Sequence, residues 1–388
     1  GGSIMRMLKG IIATAMTAVL ATVGAAHAAD LNLGVVGSLS GGGTEWGIAT
    51  QRGVELAIAE TMAAGGLKVG NETYTPKMTM YDDQYTGQGG TTAATRLVNV
   101  DGVKYIIGPI GSPAVLGVLG VTAPRKVLVL SNGFSPKILT PESKYNFRIS
   151  LTTTEFAPPI VKWLREKFPQ VKRIGVISPN DAVGQSVVPI LLDAYKKEGF
   201  EIAFDEKYTR GATDFTPLIT RMMARGVEIF EIDSNAPGDA GLLVKQARQL
   251  GFKGTIMQTG GPGLDQVMKV AGPLAEGFLS YDIFDPAAPS AAGFVKAYEA
   301  KWQGSIDAYA PIMYNATKIL FEAMRRAGSL DVDAVQAQLG KLQDYDTLFG
   351  RVRWGGKEAY GIEHQLLTEL YVTEIKGGKL HTVARLKP

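Results

Sequence analysis

The chain contains no cysteine and only three histidines, and both shortages narrow the range of functions. Without cysteine the protein forms no disulfide, no zinc–thiolate site and no thiol nucleophile. The sequence also lacks H-E-x-x-H, G-x-S-x-G and a Walker A motif, which are typical of zinc proteases, α/β-hydrolases and P-loop enzymes. We therefore expect no catalytic residues, no metal and no cofactor, and these absences count against an exported hydrolase, the enzymatic alternative.

An excess of charge of one sign is missing as well. Lys and Arg number 40 against 37 Asp and Glu, and the positive charge is scattered rather than clustered in a stripe. This distribution argues against nucleic acid as a partner. After Ala29 no apolar stretch is long enough to cross a bilayer, so we expect the mature protein to be soluble.

The first 28 residues differ from the rest of the chain. Arg6 and Lys9 precede an apolar run at residues 11–23, and small residues follow at 26–28. This order is typical of a secretory signal peptide, and we predict one at residues 1–28 and a periplasmic location. A membrane anchor is the alternative, but the run contains Thr and Gly and is short for a membrane span.

From Leu31 onwards strand and helix patterns alternate. Apolar strands such as "LNLGVVG", "VKYIIG" and "VLVLSNG" are separated by amphipathic helices, and a second series of the same kind begins after "YNFRISLTTTEF". Such alternation predicts parallel sheets covered on both faces by helices. The fold class is therefore α/β, with two doubly wound lobes.

Two of these strands end at similar Ser-Pro sequences. Ser112-Pro113 follows "YIIGPIG", and Ser135-Pro136 follows "VLVLSNGF". Proline suits the first turn of a helix, where free N–H groups and the helix dipole favour an anion. Ligands of open α/β sheets also bind at the carboxyl ends of the strands. Two interpretations remain open: both serines only cap helices, or together they hold an anionic ligand.

The ordered series of segments resembles a known family. "LNLGVVGSLSGGGTEWGIATQRGVELAI", "MTMYDDQYTGQGGTTAATRLVN", "VKYIIGPIGSPA", "VLVLSNGFSPKIL" and "RIGVISPNDAVGQS" are similar to segments of the type I periplasmic binding proteins of the leucine/isoleucine/valine type. The resemblance implies two lobes joined by three crossover strands that close on a ligand by a hinge motion. It also implies these boundaries: signal peptide 1–28, N-terminal lobe 29–148 and 281–350, C-terminal lobe 149–280 and 351–388.

The resemblance further implies a binding site between the lobes. The family holds the ligand carboxylate with a serine and with a backbone turn, which correspond to Ser112 and to Gly133, Phe134 and Ser135. An aromatic residue that lines the pocket corresponds to Trp46. The implied partners are a small carboxylate and the permease of an ATP-driven (ABC) importer, with the binding protein itself a monomer. Ligand sensing for a membrane receptor is the alternative role.

Three positions depart from the family's amino-acid binders. Val183 and the pair Asn235-Ala236 stand where tyrosines are expected, and Gly260 stands near the expected acid that receives the ligand ammonium. These residues favour a carboxylate without an ammonium, with an aromatic or branched group that uses the space at Val183 and Gly260. A branched-chain or other amino acid is the alternative, and it would require another acid, such as Asp233 or Asp181, to receive the ammonium.

Overall fold

A computed structural model describes residues 28–260, 264–304, 306 and 309–388. The predicted signal peptide lies outside the described residues except for Ala28 and remains a prediction. No described helix is long and apolar enough to cross a membrane.

The strands follow one another along the chain from residue 29 to residue 386. Their bounds are β1 (Ala29–Gly37), β2 (Leu67–Val69), β3 (Glu72–Asp82), β4 (Tyr105–Ile110), β5 (Leu128–Asn132), β6 (Asn146–Arg148), β7 (Arg173–Pro179), β8 (Glu201–Tyr208), β9 (Ile229–Glu231), β10 (Thr255–Gln258), β11 (Leu279–Asp282), β12 (Tyr345–Thr347), β13 (Gly350–Gly355), β14 (Gln365–Leu367), β15 (Leu370–Lys376) and β16 (Lys379–Leu386).

The helices alternate with these strands as the sequence predicts. Their bounds are α1 (Thr44–Ala63), α2 (Gly87–Asn99), α3 (Ser112–Thr122), α4 (Thr153–Lys167), α5 (Ala182–Ser186), α6 (Val188–Lys197), α7 (Thr216–Ala224), α8 (Pro237–Gln249), α9 (Leu264–Ala271), α10 (Ala292–Glu299), α11 (Tyr309–Ala327), α12 (Val332–Gly340) and α13 (Lys357–Tyr360).

The strands form two sheets, one in each lobe. The first has the order β12-β13-β14-β6-β5-β4-β1-β3-β2, and the second has the order β16-β15-β11-β10-β9-β7-β8. The central neighbours in both sheets are parallel, and antiparallel strands add to the edges. The predicted α/β class with two doubly wound lobes is confirmed.

Each sheet has one point at which the direction of winding reverses. In the first sheet the chain leaves β1 for β3 on one side and then for β4 on the other. In the second sheet it leaves β7 for β8 and then for β9. The strand ends beside such reversals form crevices in which α/β proteins bind ligands.

The chain passes between the two sheets three times. It does so after β6, after β11 and between β14 and β15. The third crossing differs from the predicted boundary at residue 351, because β13 and β14 pair in the first sheet and only β15 and β16 join the second. Gly377 and Gly378 form the hairpin turn between these last strands, with positive φ angles of 58° and 70°.

The segment after β11 returns to the first lobe by packing α11 against α1. Gly53 of α1 permits this close approach, since a Cβ atom there would lie 2.2 Å from the Ala310 carbonyl oxygen. The packing brings Trp46, near the start of α1, to a ring-centroid distance of 5.4 Å from Tyr309, the first residue of α11. An aromatic wall therefore forms at the edge of the cleft.

Candidate functional site

A small cavity lies between the lobes, at the carboxyl ends of strands from both sheets. It contains about 290 Å³ of unoccupied space. Its lining residues come from the first lobe, apart from Val183 and Ser234, and are Trp46, Tyr85, Ile110, Gly111, Ser112, Asn132, Gly133, Phe134, Val183, Ser234 and Tyr309. Five residues named from the sequence thus meet here: Trp46, Ser112, Gly133, Phe134 and Val183.

Ser112 lies at the junction of β4 and α3. Gly111, with a φ angle of 98°, is the residue that precedes the helix, so Ser112 is the first helical residue rather than the cap. Its hydroxyl is fully buried and accepts a hydrogen bond from the Ser135 N–H at 2.9 Å. The two Ser-Pro sequences are therefore in direct contact, because β4 and β5 are neighbours in the sheet.

The second Ser-Pro sequence does not begin an α-helix, contrary to the prediction. Ser135 precedes a 3₁₀ turn of three residues, Pro136–Ile138, and its hydroxyl accepts a long hydrogen bond of 3.4 Å from the Lys137 N–H. The Ser135 and Ser186 hydroxyls also hydrogen bond across the cleft at 2.9 Å. Ser135 is therefore not among the residues that line the cavity, and α3 is the helix that begins there.

Arg148 supports the same turn and was not predicted as part of the site. Its fully buried guanidinium donates hydrogen bonds to the carbonyl oxygens of Gly133 at 3.3 Å and Ser135 at 3.0 Å, and to Gln365 Oε1 at 2.6 Å. A buried positive charge behind this turn makes the first-lobe end of the cavity favourable for an anion. The sequence signal was weak, since "NFRIS" predicts only a crossing strand.

Aromatic rings also line the cavity. Trp46 packs against Tyr85 at a centroid distance of 5.4 Å, the same distance as to Tyr309. The backbone of Tyr85 adopts a positive φ of 58°, and its N–H donates to Asp83 Oδ1 at 2.7 Å. Sequence reasoning identified Trp46 but neither tyrosine, because Tyr85 depends on a turn with positive φ angles and Tyr309 on the packing of α11 against α1.

Contacts between the lobes show that the molecule is closed. The Arg210 guanidinium of the second lobe lies 4.8 Å from the centroid of the Tyr85 ring in the first lobe. Arg210 is held by Asp181 at 2.6 Å and Asp239 at 3.3 Å, and it donates to the Ser234 carbonyl oxygen at 3.1 Å. Tyr85 therefore contacts the cavity and also the charged network of the other lobe.

Asn235 and Ala236 do not line the cavity, although the sequence suggested both. The Asn235 carboxamide is fully buried and donates to the carbonyl oxygens of Ile177 and Ile232, each at 2.9 Å. Ala236 precedes α8 and faces Gly42 of the other lobe. A Cβ atom added to Gly42 would lie 3.7 Å from the Cβ atom of Ala236. Asn235 therefore holds the ends of β7 and β9 together, and Ala236 contributes to the contact between the lobes.

Gly260 does not provide open space, which corrects the expectation of room at this position. A Cβ atom on Gly260 would lie 2.5 Å from Asp233 Oδ1, 2.7 Å from Phe156 and 2.9 Å from Phe134. The volume that a side chain at residue 260 would occupy is filled by a carboxylate and two phenyl rings. Val183 lines the cavity, and its contact with the ligand stays a prediction.

Comparisons with known proteins agree with this architecture. A family model described as "Periplasmic binding protein" matches residues 30–379. The leucine-specific-binding protein of Salmonella typhimurium is 28% identical over 362 residues, which cover 90% of this chain and 92% of that protein.

Solved structures with the same fold cover most of the chain. A leucine binding protein from Thermotoga maritima has a TM-score of 0.82 at 20% identity and covers 92% of this chain and 99% of its own. A solute binding protein from R. palustris in complex with benzoate has a TM-score of 0.81 at 18% identity. The match covers 92% of this chain and 97% of that protein. The two lobes, the cleft and the family match together show that this chain belongs to the type I periplasmic binding proteins of the leucine/isoleucine/valine type.

Proposed function

We propose that this protein captures a small organic carboxylate in the cavity between its lobes and delivers it to the permease of an ABC importer. It does so in the periplasm and as a monomer. The observation that carries the proposal is the anion-favouring end of the cavity, where the start of α3, the Ser112 hydroxyl and the turn backed by Arg148 meet.

The chemistry of that end suits a carboxylate. Helix α3 has 11 residues, and the first N–H groups of a helix lack partners within it and carry the positive end of the helix dipole. Gly133 allows the turn to lie against this helix, since a Cβ there would be 3.2 Å from the Ser112 Cα. Two backbone segments and a hydroxyl can therefore donate to one carboxylate, and the charge of Arg148 lies behind them.

The remaining walls define the rest of the ligand. Trp46, Tyr85, Tyr309, Phe134 and Val183 present mainly apolar surface, which favours a branched aliphatic or aromatic group. The space between these walls is small, about 290 Å³ including the part open to solvent, so a small ligand is expected.

Two ligand classes fit this description. One is an acid without an amine, which the absence of an acid at Gly260 favours; the R. palustris relative of known structure binds benzoate. The other is an amino acid, which is favoured by the buried Asp233 carboxylate beside Gly260; the named Salmonella relative is leucine-specific.

A thermal-shift screen of the purified protein tests the proposal. Branched and aromatic acids, each with and without an α-amino group, should raise Tm in proportion to the logarithm of ligand concentration over Kd. Amines and neutral amides of the same shape, which lack the carboxylate, are the controls and should give no shift. A panel in which the carboxylates also fail to raise Tm, or the amides raise it equally, would refute the proposal.

A further inference from the structure

Arg210 holds the second-lobe face of the cavity in place from outside the set of described residues that line it. It lies in the loop between β8 and α7, and its side chain is 21% exposed. Three different nitrogens of its guanidinium donate hydrogen bonds: Nε to Asp181 Oδ2 at 2.6 Å, Nη1 to Asp239 Oδ2 at 3.3 Å, and Nη2 to the Ser234 carbonyl oxygen at 3.1 Å. This planar group fixes three acceptors relative to one another, which a single ammonium cannot do.

The bond to Asp181 determines where Val183 lies. Asp181 Oδ2 pairs with Arg210, while Oδ1 accepts hydrogen bonds from the first N–H groups of α5, including that of Val183 at 2.9 Å. The same short helix carries Ser186, whose hydroxyl donates to Ser135 Oγ across the cleft at 2.9 Å. Displacement of Asp181 would therefore shift a lining residue and a contact between the lobes together.

The bond to the Ser234 carbonyl oxygen acts on the other second-lobe residue of the cavity wall. Ser234 has a φ angle of 68°, a conformation that residues other than glycine seldom adopt. The hydrogen bond from Arg210 fixes the peptide group that follows this unusual residue. Since the second lobe contributes Val183 and Ser234 to the described lining, its whole contribution depends on one guanidinium.

Across the cleft the same guanidinium meets a first-lobe ring that lines the cavity. Arg210 Cζ lies 4.8 Å from the centroid of the Tyr85 ring, within the range of a cation–π interaction. The ring has little room to move, because a Cβ atom at Gly43 would lie 2.8 Å from it and one at Gly111 would lie closer still. Gly111 directly precedes Ser112, so the ring that Arg210 contacts also packs beside the anion end of the cavity.

From these observations we propose that Arg210 is a positioning residue that acts as a latch between the lobes: it holds Val183 and Ser234 in the cavity wall and ties them to Tyr85. The inference rests on the proposed function and deepens it, because it assigns retention of the ligand to a residue outside the lining. The contact with Tyr85 requires the lobes to be together, so it stabilises the closed form and not the open one. Its loss should therefore speed dissociation and leave association, which begins from the open form, nearly unchanged.

Stopped-flow kinetics of Arg210→Lys tests the latch. The probe is the acid of the thermal-shift screen, leucine and benzoate included, that binds the wild-type protein most tightly. Lysine keeps a positive charge between Asp181 and Asp239, so the variant should fold, but its one nitrogen cannot reach all three acceptors. We expect dissociation to be about 5- to 30-fold faster and association to stay within about 3-fold of the wild type.

Arg248→Lys is the matched control. This second-lobe arginine donates to the carbonyl oxygens of Phe252 and Gly254, each at 2.8 Å, and lies over the Phe252 ring, so these contacts stay within one lobe. Its replacement should reduce stability and leave both rate constants unchanged. A double-mutant cycle with Tyr85→Leu then separates the latch from general loosening: the acceleration caused by Arg210→Lys should shrink in the Tyr85→Leu background, whereas a purely structural role gives effects that multiply.

X-ray scattering decides the question if Arg210→Lys does not fold. Tyr85 and Tyr309 both line the cavity and both lie 5.4 Å from Trp46, but it is Tyr85 that Arg210 contacts. At a saturating concentration of the probe, Tyr85→Leu should therefore raise the radius of gyration and Tyr309→Leu should not.

The outcomes separate the latch from the proposed function. Wild-type dissociation in Arg210→Lys, an equal acceleration in Arg248→Lys, multiplying effects in the cycle, or equal radii of gyration for the two tyrosine variants would overturn the latch while leaving carboxylate capture intact. Absence of binding by every acid of the screen would overturn both proposals.

Discussion

Replacing Ser112 by alanine should affect folding and binding through two separate hydrogen bonds. In the protein alone, the Ser112 hydroxyl is the acceptor for the Ser135 N–H at 2.9 Å. Both residues are fully buried, so the alanine variant leaves a backbone donor without a partner. The expected loss is about 1–3 kcal/mol in the free energy of unfolding.

The effect on binding comes from the donor side of the same hydroxyl. Its proton is available to a carboxylate, and a hydrogen bond to a charged group contributes about 1.5–3 kcal/mol. We therefore expect Ser112→Ala to weaken the binding of any carboxylate by about 10- to 150-fold. Denaturant unfolding measures the first effect, and calorimetry well below the unfolding temperature measures the second.

Ser131 provides the control. It is a fully buried serine on β5 whose hydroxyl donates to Asn146 Oδ1 at 2.8 Å, and it does not line the cavity. Ser131→Ala should reduce stability by a similar amount and leave affinity unchanged. If Ser112→Ala lowers stability but binds carboxylates as tightly as the wild type, or if Ser131→Ala weakens binding equally, then the anion end is misassigned.

Three further predictions concern the second lobe and the closed form. Gly260→Ala should lower the free energy of unfolding, measured with denaturant, by about 1–3 kcal/mol, because the new Cβ would lie within 2.9 Å of three side chains. Gly293→Ala is the control and should not destabilise the protein, because a Cβ at residue 293 would lie in open space. A saturating carboxylate should close the lobes and so lower the radius of gyration measured by X-ray scattering. If the ligand-free protein is open and its radius of gyration does not change on adding the carboxylate, hinge closure is refuted. Burial raises the pKa of Glu231 and Asp233 above their unfolded values, so the stability of the ligand-free protein should fall as the pH rises from about 5 to about 8, and a flat profile would contradict this.

The fold was largely predictable because its signals are local. Apolar strands, amphipathic helices and glycine turns each lie within a dozen residues, and the alternation specifies parallel sheets without knowledge of distant contacts. The third crossing was placed too early for the same reason: β13, β14 and β15 are similar short strands, and only their pairing partners reveal which sheet each one joins.

The candidate site was predictable where its residues follow strands directly or correspond to site positions of the family, as Trp46 and Val183 do. Ser112 and Gly133 could be identified since the ends of neighbouring parallel strands must lie together. Tyr85 and Tyr309 could not, because one depends on an unusual turn and the other on the packing of α11 against α1. Arg148 was missed for a related reason, as its contacts to the turn require the crossing strand to lie directly behind it.

The second lobe shows why reading one position at a time can mislead about ligand class. Gly260 taken alone suggests lost charge and gained space, yet Asp233 and Phe134 fill that space, and Asp233 supplies a charge. An anion end in the first lobe and an acid in the second would place the two ends of an amino acid on different lobes. In the open form, a ligand bound to one lobe would have one of its charged ends without a partner. Only closure of the two lobes would give both ends a partner. An acid without an amine would gain only the first-lobe contacts, so it should favour the closed form less strongly than the matching amino acid.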